Sequence, residues 1–357
     1  MVDWLAGKRV RGTSSERTAS GFAYTPSTPA GWVEVNSAEV TSGTTDTLTI
    51  NPVTDARYYM ILFDRNVTNG ATNGRLRFNN SSSGYAVRYN GNTGTSSNAD
   101  TTSDVNTTDI NAHHYSGANS SFAVDYIVNY STKDKLVFSH ATGGADSSAP
   151  EKVEATSKWV NSSTINRMDM LNTNVGDFNT GTKFTILRYD PTSTHTTNFW
   201  EQLADVNASG SSDTISSGTI SAKKWLWVQT YTSCSGSIIA DRFHFNGENT
   251  GTNYYTTRQE DTAQHYNNSS VSYIRAYNSA STIKRFTNMF ILNNGSREKL
   301  TIHHNVEVVT SGTNQPLKAE FAGRWANTSN QITEIEINNQ NANNYDTKSF
   351  IKVWGAD

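Results

Sequence analysis

Two stretches of the chain, KWVNSSTINRMDM at residues 158–170 and RWANTSNQITEIEI at residues 324–337, repeat one pattern. Each begins with a basic residue and a tryptophan, continues with an asparagine next to Ser or Thr, and ends in a run that alternates apolar and polar residues. Trp159 and Trp325 are 325 − 159 = 166 residues apart. If this spacing returns elsewhere, the chain is an internal duplication.

The spacing does return, in the same order along the chain. DTLTI (46–50) matches DTISS (213–217) at 213 − 46 = 167, and DKLVFSH (134–140) matches EKLTIHH (298–304) at 298 − 134 = 164. Tyr85 is matched with Tyr255 at 255 − 85 = 170. A copy of this length suits an independent domain better than a solenoid repeat. We therefore expect an N-terminal arm at 1–24, a first repeat at 25–190, a linker at 191–197 and a second repeat at 198–357.

The residue pattern within each copy has the period of a β-strand. In RLRF, Leu76 and Phe78 point to one side while Arg75 and Arg77 point to the other. Charged residues make up 17% of the chain, against about 25% in an average globular domain. Ser, Thr and Asn take their place, and these residues compete with helix formation through local hydrogen bonds. Short strands separated by turn residues predict an all-β chain of two tandem antiparallel β-sandwich (jelly-roll-like) domains.

Four aromatic residues serve as markers of the predicted cores, because each lies at a repeated position. They are Trp159, Trp325, Phe78 and Phe245. The polar segment 90–120 is expected to be a long outer loop. The best helix candidate, TNFWEQLADVNA (197–208), aligns with the strand-like GWVEVNSAEV (31–40), so a strand is predicted there as well.

Composition excludes several classes of partner. The net charge of −3 provides no basic footprint for nucleic acid. No apolar run approaches the roughly 18 residues that a membrane span needs, and the N-terminal residues lack the apolar core of a signal peptide. Cys234 is the only cysteine, so no intrachain disulfide can form.

Several phrases of the two copies resemble a module found in virion structural proteins of tailed phages. In the first copy they are RLRFNN with YAVRY, FAVDYIVNYSTKDK, SKWVNSSTINRMDM and GDFNTGTKFTILRYD. The second copy supplies RFHFNGENTGTNYYTTR, RFTNMFILNNGSREKLTI, GRWANTSNQITEIEI and YDTKSFIKVWG. The resemblance implies a location in the virion, trimers or higher oligomers of the chain, and contacts with other virion proteins. Because the duplicated module fills nearly all of this sequence, a capsid, capsid-decoration or short-appendage role is favoured over a long tail fibre.

No motif in the sequence predicts catalysis, so we expect no enzyme and no cofactor. His303 and His304 are adjacent, as are His113 and His114, and neighbours on a strand face opposite sides, so neither pair is expected to chelate a metal alone. Glu334 and Glu336 share a strand face and could imitate the carboxylate pair of a glycosidase.

The pair is not kept at the aligned positions Arg167 and Asp169, so a solvated strand face is favoured over that enzyme hypothesis. Asp100, Asp104 and Asp109 could offer oxygen ligands to calcium, but solvated loop positions are the favoured interpretation. No metal site is therefore predicted.

Two further features bear on partners. The N-terminal arm carries Trp4, Leu5, Lys8, Arg9 and Arg11, an apolar anchor beside basic residues, and it either docks onto a neighbouring subunit or is disordered or packs on its own chain.

An alternative function is that of a carbohydrate-binding, adhesive protein that recognises host surface glycans. Its candidate glycan contacts are Tyr115, Tyr254 and Tyr255, since tyrosines in loops can stack on sugars and hydrogen-bond to them.

Overall fold

The computed structural model describes residues 31–67, 72–92, 100–117, 120–174, 176–189, 198–234, 239–260, 265–276, 284–308 and 316–357. The described residues form antiparallel strands and no helix, so the predicted all-β class is confirmed. The predicted arm (1–24) and linker (191–197) lie outside the described residues.

The described residues of the first copy form fourteen strands. They are β1 (Val33–Glu39), β2 (Thr44–Thr45), β3 (Thr47–Ile50), β4 (Tyr58–Arg65), β5 (Thr72–Phe78), β6 (Tyr85–Asn92), β7 (Asp100–Thr107), β8 (Ile110–Gly117), β9 (Ser121–Val128), β10 (Lys135–Gly143), β11 (Glu151–Trp159), β12 (Met168–Asn172), β13 (Phe178–Asn179) and β14 (Lys183–Tyr189). Eight strands form a large sheet in the order β1-β14-β4-β9-β10-β11-β6-β7. Four form a small sheet in the order β3-β12-β5-β8, and β2 pairs with β13.

In the second copy, twelve strands lie within the described ranges. They are β15 (Glu201–Asn207), β16 (Thr214–Ser216), β17 (Trp225–Ser233), β18 (Asp241–Phe245), β19 (Tyr254–Glu260), β20 (His265–Val271), β21 (Ile274–Arg275), β22 (Lys284–Leu292), β23 (Lys299–Val308), β24 (Leu317–Trp325), β25 (Ile335–Asn339) and β26 (Phe350–Ala356). The large sheet runs β15-β26-β17-β22-β23-β24-β19-β20 and the small sheet β16-β25-β18-β21.

The two copies share one topology. Each strand of the first large sheet has a counterpart at the same place in the second, and the same holds for the small sheets. Registers agree too: Lys135 lies opposite Trp159 and Lys299 lies opposite Trp325. The chain therefore consists of two antiparallel β-sandwiches related by internal duplication.

The core of each sandwich lies between its large and its small sheet. In the first copy, Tyr59 and Ile61 of the large sheet meet Phe78 and Met170 of the small sheet in one buried cluster. Alternation along β4 sends the intervening residues, such as Met60, to the opposite face of the large sheet. That opposite face is also buried, because the large sheet of the second copy packs against it. The molecule is thus built of four layers, with the two large sheets at its centre.

The predicted core marker Trp159 belongs to a trio of aromatic residues. Its ring stacks on Tyr85 with centroids 5.9 Å apart and an interplanar angle of 14°, and it lies 5.6 Å from Phe78. The Tyr85 hydroxyl accepts a hydrogen bond from the backbone N–H of Phe78 at 2.9 Å, which joins the two sheets at this end. All three side chains are buried.

The second copy repeats the trio with Trp325, Tyr254 and Phe245. Tyr254 stacks on Trp325 with centroids 6.2 Å apart and the same angle of 14°. Tyr254 is therefore the counterpart of Tyr85, at 254 − 85 = 169, and the alignment of Tyr85 with Tyr255 is wrong by one residue. A one-residue slip exchanges the faces of a strand, so only the register of β19 with β24 reveals the correct match.

The asparagine that follows the core phenylalanine in each copy, Asn79 after Phe78 and Asn246 after Phe245, fixes the return of the chain into the small sheet. Asn79 has φ of 53°, and its Oδ1 accepts hydrogen bonds from the backbone N–H groups of Asn166 and Arg167 at 2.9 and 3.1 Å. Asn246 has the same φ of 53° and accepts the equivalent bonds from Thr333 and Glu334 at 2.8 and 3.1 Å. Asparagine tolerates this left-handed conformation better than most residues, and its amide stands in for a strand partner.

The predicted outer loop at 90–120 is partly wrong. Strands β7 and β8 occupy much of it and form the edge strands of the large and the small sheet. Strand pairing uses the backbone, so a Thr- and Ser-rich segment can pair at an edge where one face remains in water. Ile110 is the buried anchor of β8. The prediction of strand at 197–208 is confirmed by β15.

Candidate functional site

The interface between the two large sheets is the feature of the fold that combines buried charge, histidine and exposed apolar surface. Its centre is apolar, with Met60 and Phe122 of the first copy packed with Trp225 and Phe290 of the second. Phe122 stacks on Trp225 at 5.8 Å between centroids. This cluster explains why the strand YYMILF is apolar on both faces: one face fills its own sandwich and the other contacts the neighbouring sandwich.

One end of the interface is closed by a buried carboxylate. Asp64 is completely buried, and both of its oxygens accept hydrogen bonds from Nη2 of Arg297 at 2.7 Å. Lys224 adds a second cation from the second copy, with Nζ 3.0 Å from Oδ2. A buried carboxylate is tolerated only with such partners. Because both cations belong to the second sandwich, Asp64 is stably buried only while that sandwich keeps its position.

Arg324 reaches across the same region to the chain that follows β10. Its guanidinium donates to the carbonyls of Gly143 at 3.2 Å, Gly144 at 3.0 Å and Ala145, and to Oε2 of Glu298 at 3.0 Å. Guanidinium groups suit this task because they offer several donors in a fixed plane. The basic residue of the RWANTSN phrase is therefore an interface residue and not an exposed charge.

A cluster of two histidines and one glutamate lies near the middle of the interface. His140 on β10 is directly opposite Glu154 on β11, and both side chains face the second copy. His304 on β23 approaches from that copy, with Nε2 2.6 Å from Oε1 of Glu154. The rings of His140 and His304 are 4.0 Å apart between centroids. These three residues, here called the His–Glu cluster, bring one possible ligand atom each to within 4.8 Å of one another.

The pKa values of the cluster favour a neutral histidine beside an ionised carboxylate. Burial, followed by the charge of His304, lowers the pKa of His140 to about 4. Burial alone would raise the pKa of Glu154, but the charge of Lys152 and the close contacts with both histidine rings outweigh it and hold that pKa well below its usual range. Lys152 itself is paired with Glu320 at 2.7 Å.

Not all of the facing surface is covered. Leu136 and Phe138 share a strand face with His140, yet they are 56% and 43% exposed; Phe286 and Val306, which share faces with Phe290 and His304, are 39% and 53% exposed. Two shallow grooves adjoin Leu136 and Phe138 on the first large sheet, the larger of about 340 Å³. The sheets therefore pack at one end of their facing surfaces and leave apolar strand positions open at the other.

The structure disagrees with the predicted glycan contacts in the second copy. Tyr254 and Tyr255 are both buried in β19, and Tyr254 is held by Phe245 and Trp325, so neither stands in a loop where a sugar could stack. The side chain of Tyr115 lies outside the described part of the chain, as do the arm residues Trp4, Leu5, Lys8, Arg9 and Arg11.

The structure also changes the interpretation of two acidic residues that the sequence predicts to be solvated. Asp109 is not a solvated loop residue: it is buried and paired with Arg75 at 3.0 Å and Arg77 at 3.5 Å. Glu334 is also engaged, because the hydroxyl of Ser216 donates to its carboxylate at 2.7 Å. The side chain of Asp100 lies outside the described residues.

Sequence reasoning missed the His–Glu cluster because its members are far apart in the chain. The adjacent pair His303–His304 gives no signal of the cluster, because His303 is a core residue whose ring stacks on Phe321 at 4.5 Å between centroids. The duplication contained a usable signal, since His140 and His304 are equivalent at 304 − 140 = 164 and each lies opposite a glutamate, Glu154 or Glu320.

The chain was compared with known proteins at three levels. No protein-family model matches it, and no curated protein matches it. Among solved structures, the mouse laminin alpha1 chain, domains LG4-5, is similar at 7% sequence identity, over 91% of this chain and 88% of that chain, with a TM-score of 0.18. A TM-score this low carries no argument about function. No helix in the described residues is long and apolar enough to cross a membrane.

Proposed function

We propose that the chain is a structural protein of a viral particle that self-assembles into the capsid, its decoration or a short appendage. The observation that carries the proposal is the row of exposed apolar side chains on the large sheets, Leu136, Phe138, Phe286 and Val306. Exposed apolar groups that cluster on one surface mark sites of protein contact. The resemblance of the repeated phrases to phage virion modules supplies the virion context.

The proposed occupant of this surface is a second copy of the chain. The facing half of the same surface already binds a copy of the module, because the second sandwich packs against the first through Met60, Phe122, Trp225 and Phe290. A module that recognises its own kind through this sheet has the self-complementarity that homo-oligomers require. Several such weak contacts in one assembly add up to a stable particle.

The test is the assembly state of the purified protein. Electron microscopy and sedimentation velocity over a range of protein concentrations should show rings, tubes or shells, or discrete oligomers. Phe138→Glu places a charge at the proposed contact and should return the protein to monomers. Val160→Glu is the matched control, since Val160 is 53% exposed but lies beyond the end of β11. Monomers at every concentration, or assembly that survives Phe138→Glu, would contradict the proposal.

The carbohydrate-binding alternative has lost two of its three candidate residues, because Tyr254 and Tyr255 are buried. It now depends on Tyr115 alone. A glycan array probed with the wild-type protein and with Tyr115→Ala tests it, and it fails if no glycan is bound.

A further inference from the structure

We propose that the His–Glu cluster is a binding site for one divalent zinc-class metal ion, held between the two sandwiches by His140, Glu154 and His304. The site is independent of the proposed assembly role, because all three residues belong to one chain. Two histidines and a glutamate form a known ligand set for zinc, which leaves a fourth position for water.

The ligand atoms are already close to the spacing that zinc requires. Nδ1 of His140 and Nε2 of His304 lie 3.0 and 2.6 Å from the same Oε1 of Glu154. Ligand atoms on one tetrahedral zinc ion, each about 2.0–2.2 Å from the metal, are roughly 3.3 Å apart. The contact of His140 with Glu154 must therefore lengthen by about 0.3 Å and that of His304 by about 0.7 Å, and the partly exposed side chain of His304 has room for this movement.

The backbone holds two of the ligands rigidly. His140 and Glu154 are directly opposite each other on neighbouring strands in the interior of the large sheet. Sites on strands of a scaffold are more precise than sites on loops. Only the third ligand arrives from the other sandwich, so an ion bound here would join the two copies.

A second observation points to a ligand. His140 is buried, yet its Nδ1 has no hydrogen-bond partner among the described residues, because its approach to Glu154 has the distance but not the geometry of a hydrogen bond. A buried polar atom without a hydrogen bond is costly and requires an explanation. A metal ion placed between Nδ1 and the carboxylate satisfies both groups at once.

The surrounding charges permit a cation. Lys152 and Lys318 are both paired with Glu320, at 2.7 and 3.1 Å. Lys152 is farther from Glu154, at 3.9 Å from Oε2. The carboxylate of Glu154 therefore presents its Oε1 to the two histidines, and its negative charge would partly neutralise a metal ion bound there.

The experiment uses the full-length chain after treatment with a chelator. Isothermal titration with ZnCl₂ should show one ion per chain, and the melting temperature should rise with zinc concentration, because an ion that binds only the folded state stabilises it. Co²⁺ in place of zinc should give the intense visible absorption of a four-coordinate site. His304→Ala and Glu154→Gln should each weaken zinc binding by more than about a hundredfold, since even outer-shell changes cost about 10–100-fold.

His244→Gln is the control, because His244 lies on β18 in the small sheet of the second copy and not on the large sheets that carry the cluster, and it should bind zinc like the wild type. Near-ultraviolet circular dichroism of each metal-free variant checks that the fold is intact. His304→Ala keeps this check straightforward, because His304 is the least buried of the three ligands. Absence of zinc binding by the wild type, or zinc binding that persists at full strength in both ligand variants, would overturn the proposal.

Discussion

Arg297 should be the residue whose removal most clearly reveals how strongly the two sandwiches depend on each other. In Arg297→Ala, the carboxylate of Asp64 loses both 2.7 Å hydrogen bonds and keeps only Lys224 at 3.0 Å. Removing one partner of a buried ion pair costs about 3–5 kcal/mol, because the other charge remains buried. Since Lys224 still neutralises Asp64, we expect a loss near the lower end, about 3 kcal/mol.

Asp64→Ala should cost less, about 2 kcal/mol, although it breaks the same contact. The side chains of Arg297 and Lys224 are 16% and 21% exposed, so both cations can turn toward water, whereas Asp64 is completely buried and cannot. Because both cations regain water, the net loss should approach that of a single hydrogen bond to a charged group, about 1.5–3 kcal/mol. The double variant should lose less than the sum of the single losses, because the two groups share one interaction.

Urea unfolding followed by tryptophan fluorescence measures these free energies, since buried tryptophans lie in both sandwiches and at their interface. Lys352→Ala is the control: its pair with Asp205 is 2.9 Å long, but the two side chains are 34% and 37% exposed, so about 0–1 kcal/mol is expected. If Arg297→Ala loses no more than Lys352→Ala, then the interface does not depend on this contact and the reasoning is wrong.

Three other predictions follow from single residues. Asn79→Ala and Asn246→Ala should destabilise the protein by similar amounts, about 2–3 kcal/mol each in urea unfolding, because each removes three hydrogen bonds to the backbone and places alanine at φ of 53°; a large difference would contradict their equivalence. Burial, then the charge of Arg242, lowers the pKa of His244 from 6.5 to about 4, so the unfolded chain binds more protons between these values and stability should fall as the pH drops from about 6.5 toward 4. His244→Gln should reduce the dependence of melting temperature on pH in that window, and the remainder should come from groups such as His140, whose pKa is lowered in the same direction. Burial raises the pKa of Cys234 to about 12, so a thiol reagent should react with it only after unfolding, and rapid reaction in the native protein would contradict this.

Much of the fold could be predicted because the same sequence pattern occurs twice in the chain. The alternation in RLRF and the position of Trp159 each return in the second copy. All four predicted core markers are buried. The edge strands could not be predicted in this way, because β7 contains mostly polar residues and is held by backbone pairing to β6. The register error at Tyr85 has a similar cause, since two adjacent tyrosines offer the alignment no preference.

The candidate site was harder to predict, because its residues meet across an interface and not within a sandwich. Nothing in the sequence around His140 distinguishes an outward-facing strand position covered by another sheet from one covered by water. The apolar residue Met60 indicates that a second sheet covers this face, because a strand that is apolar on both faces needs a packing partner on each of them. The sequence alone does not say which surface supplies the second partner.

Positions equivalent under the duplication meet across the central interface: His140 contacts His304, and Tyr126 contacts Phe290 at 6.5 Å between ring centroids. In a homodimer, like residues face each other in this way about a two-fold axis. Because both partners here belong to one polypeptide, dilution cannot separate them. In the Phe138→Glu variant, which is expected to be monomeric, the melting temperature should therefore be independent of protein concentration, unlike that of a two-chain dimer with the same contacts.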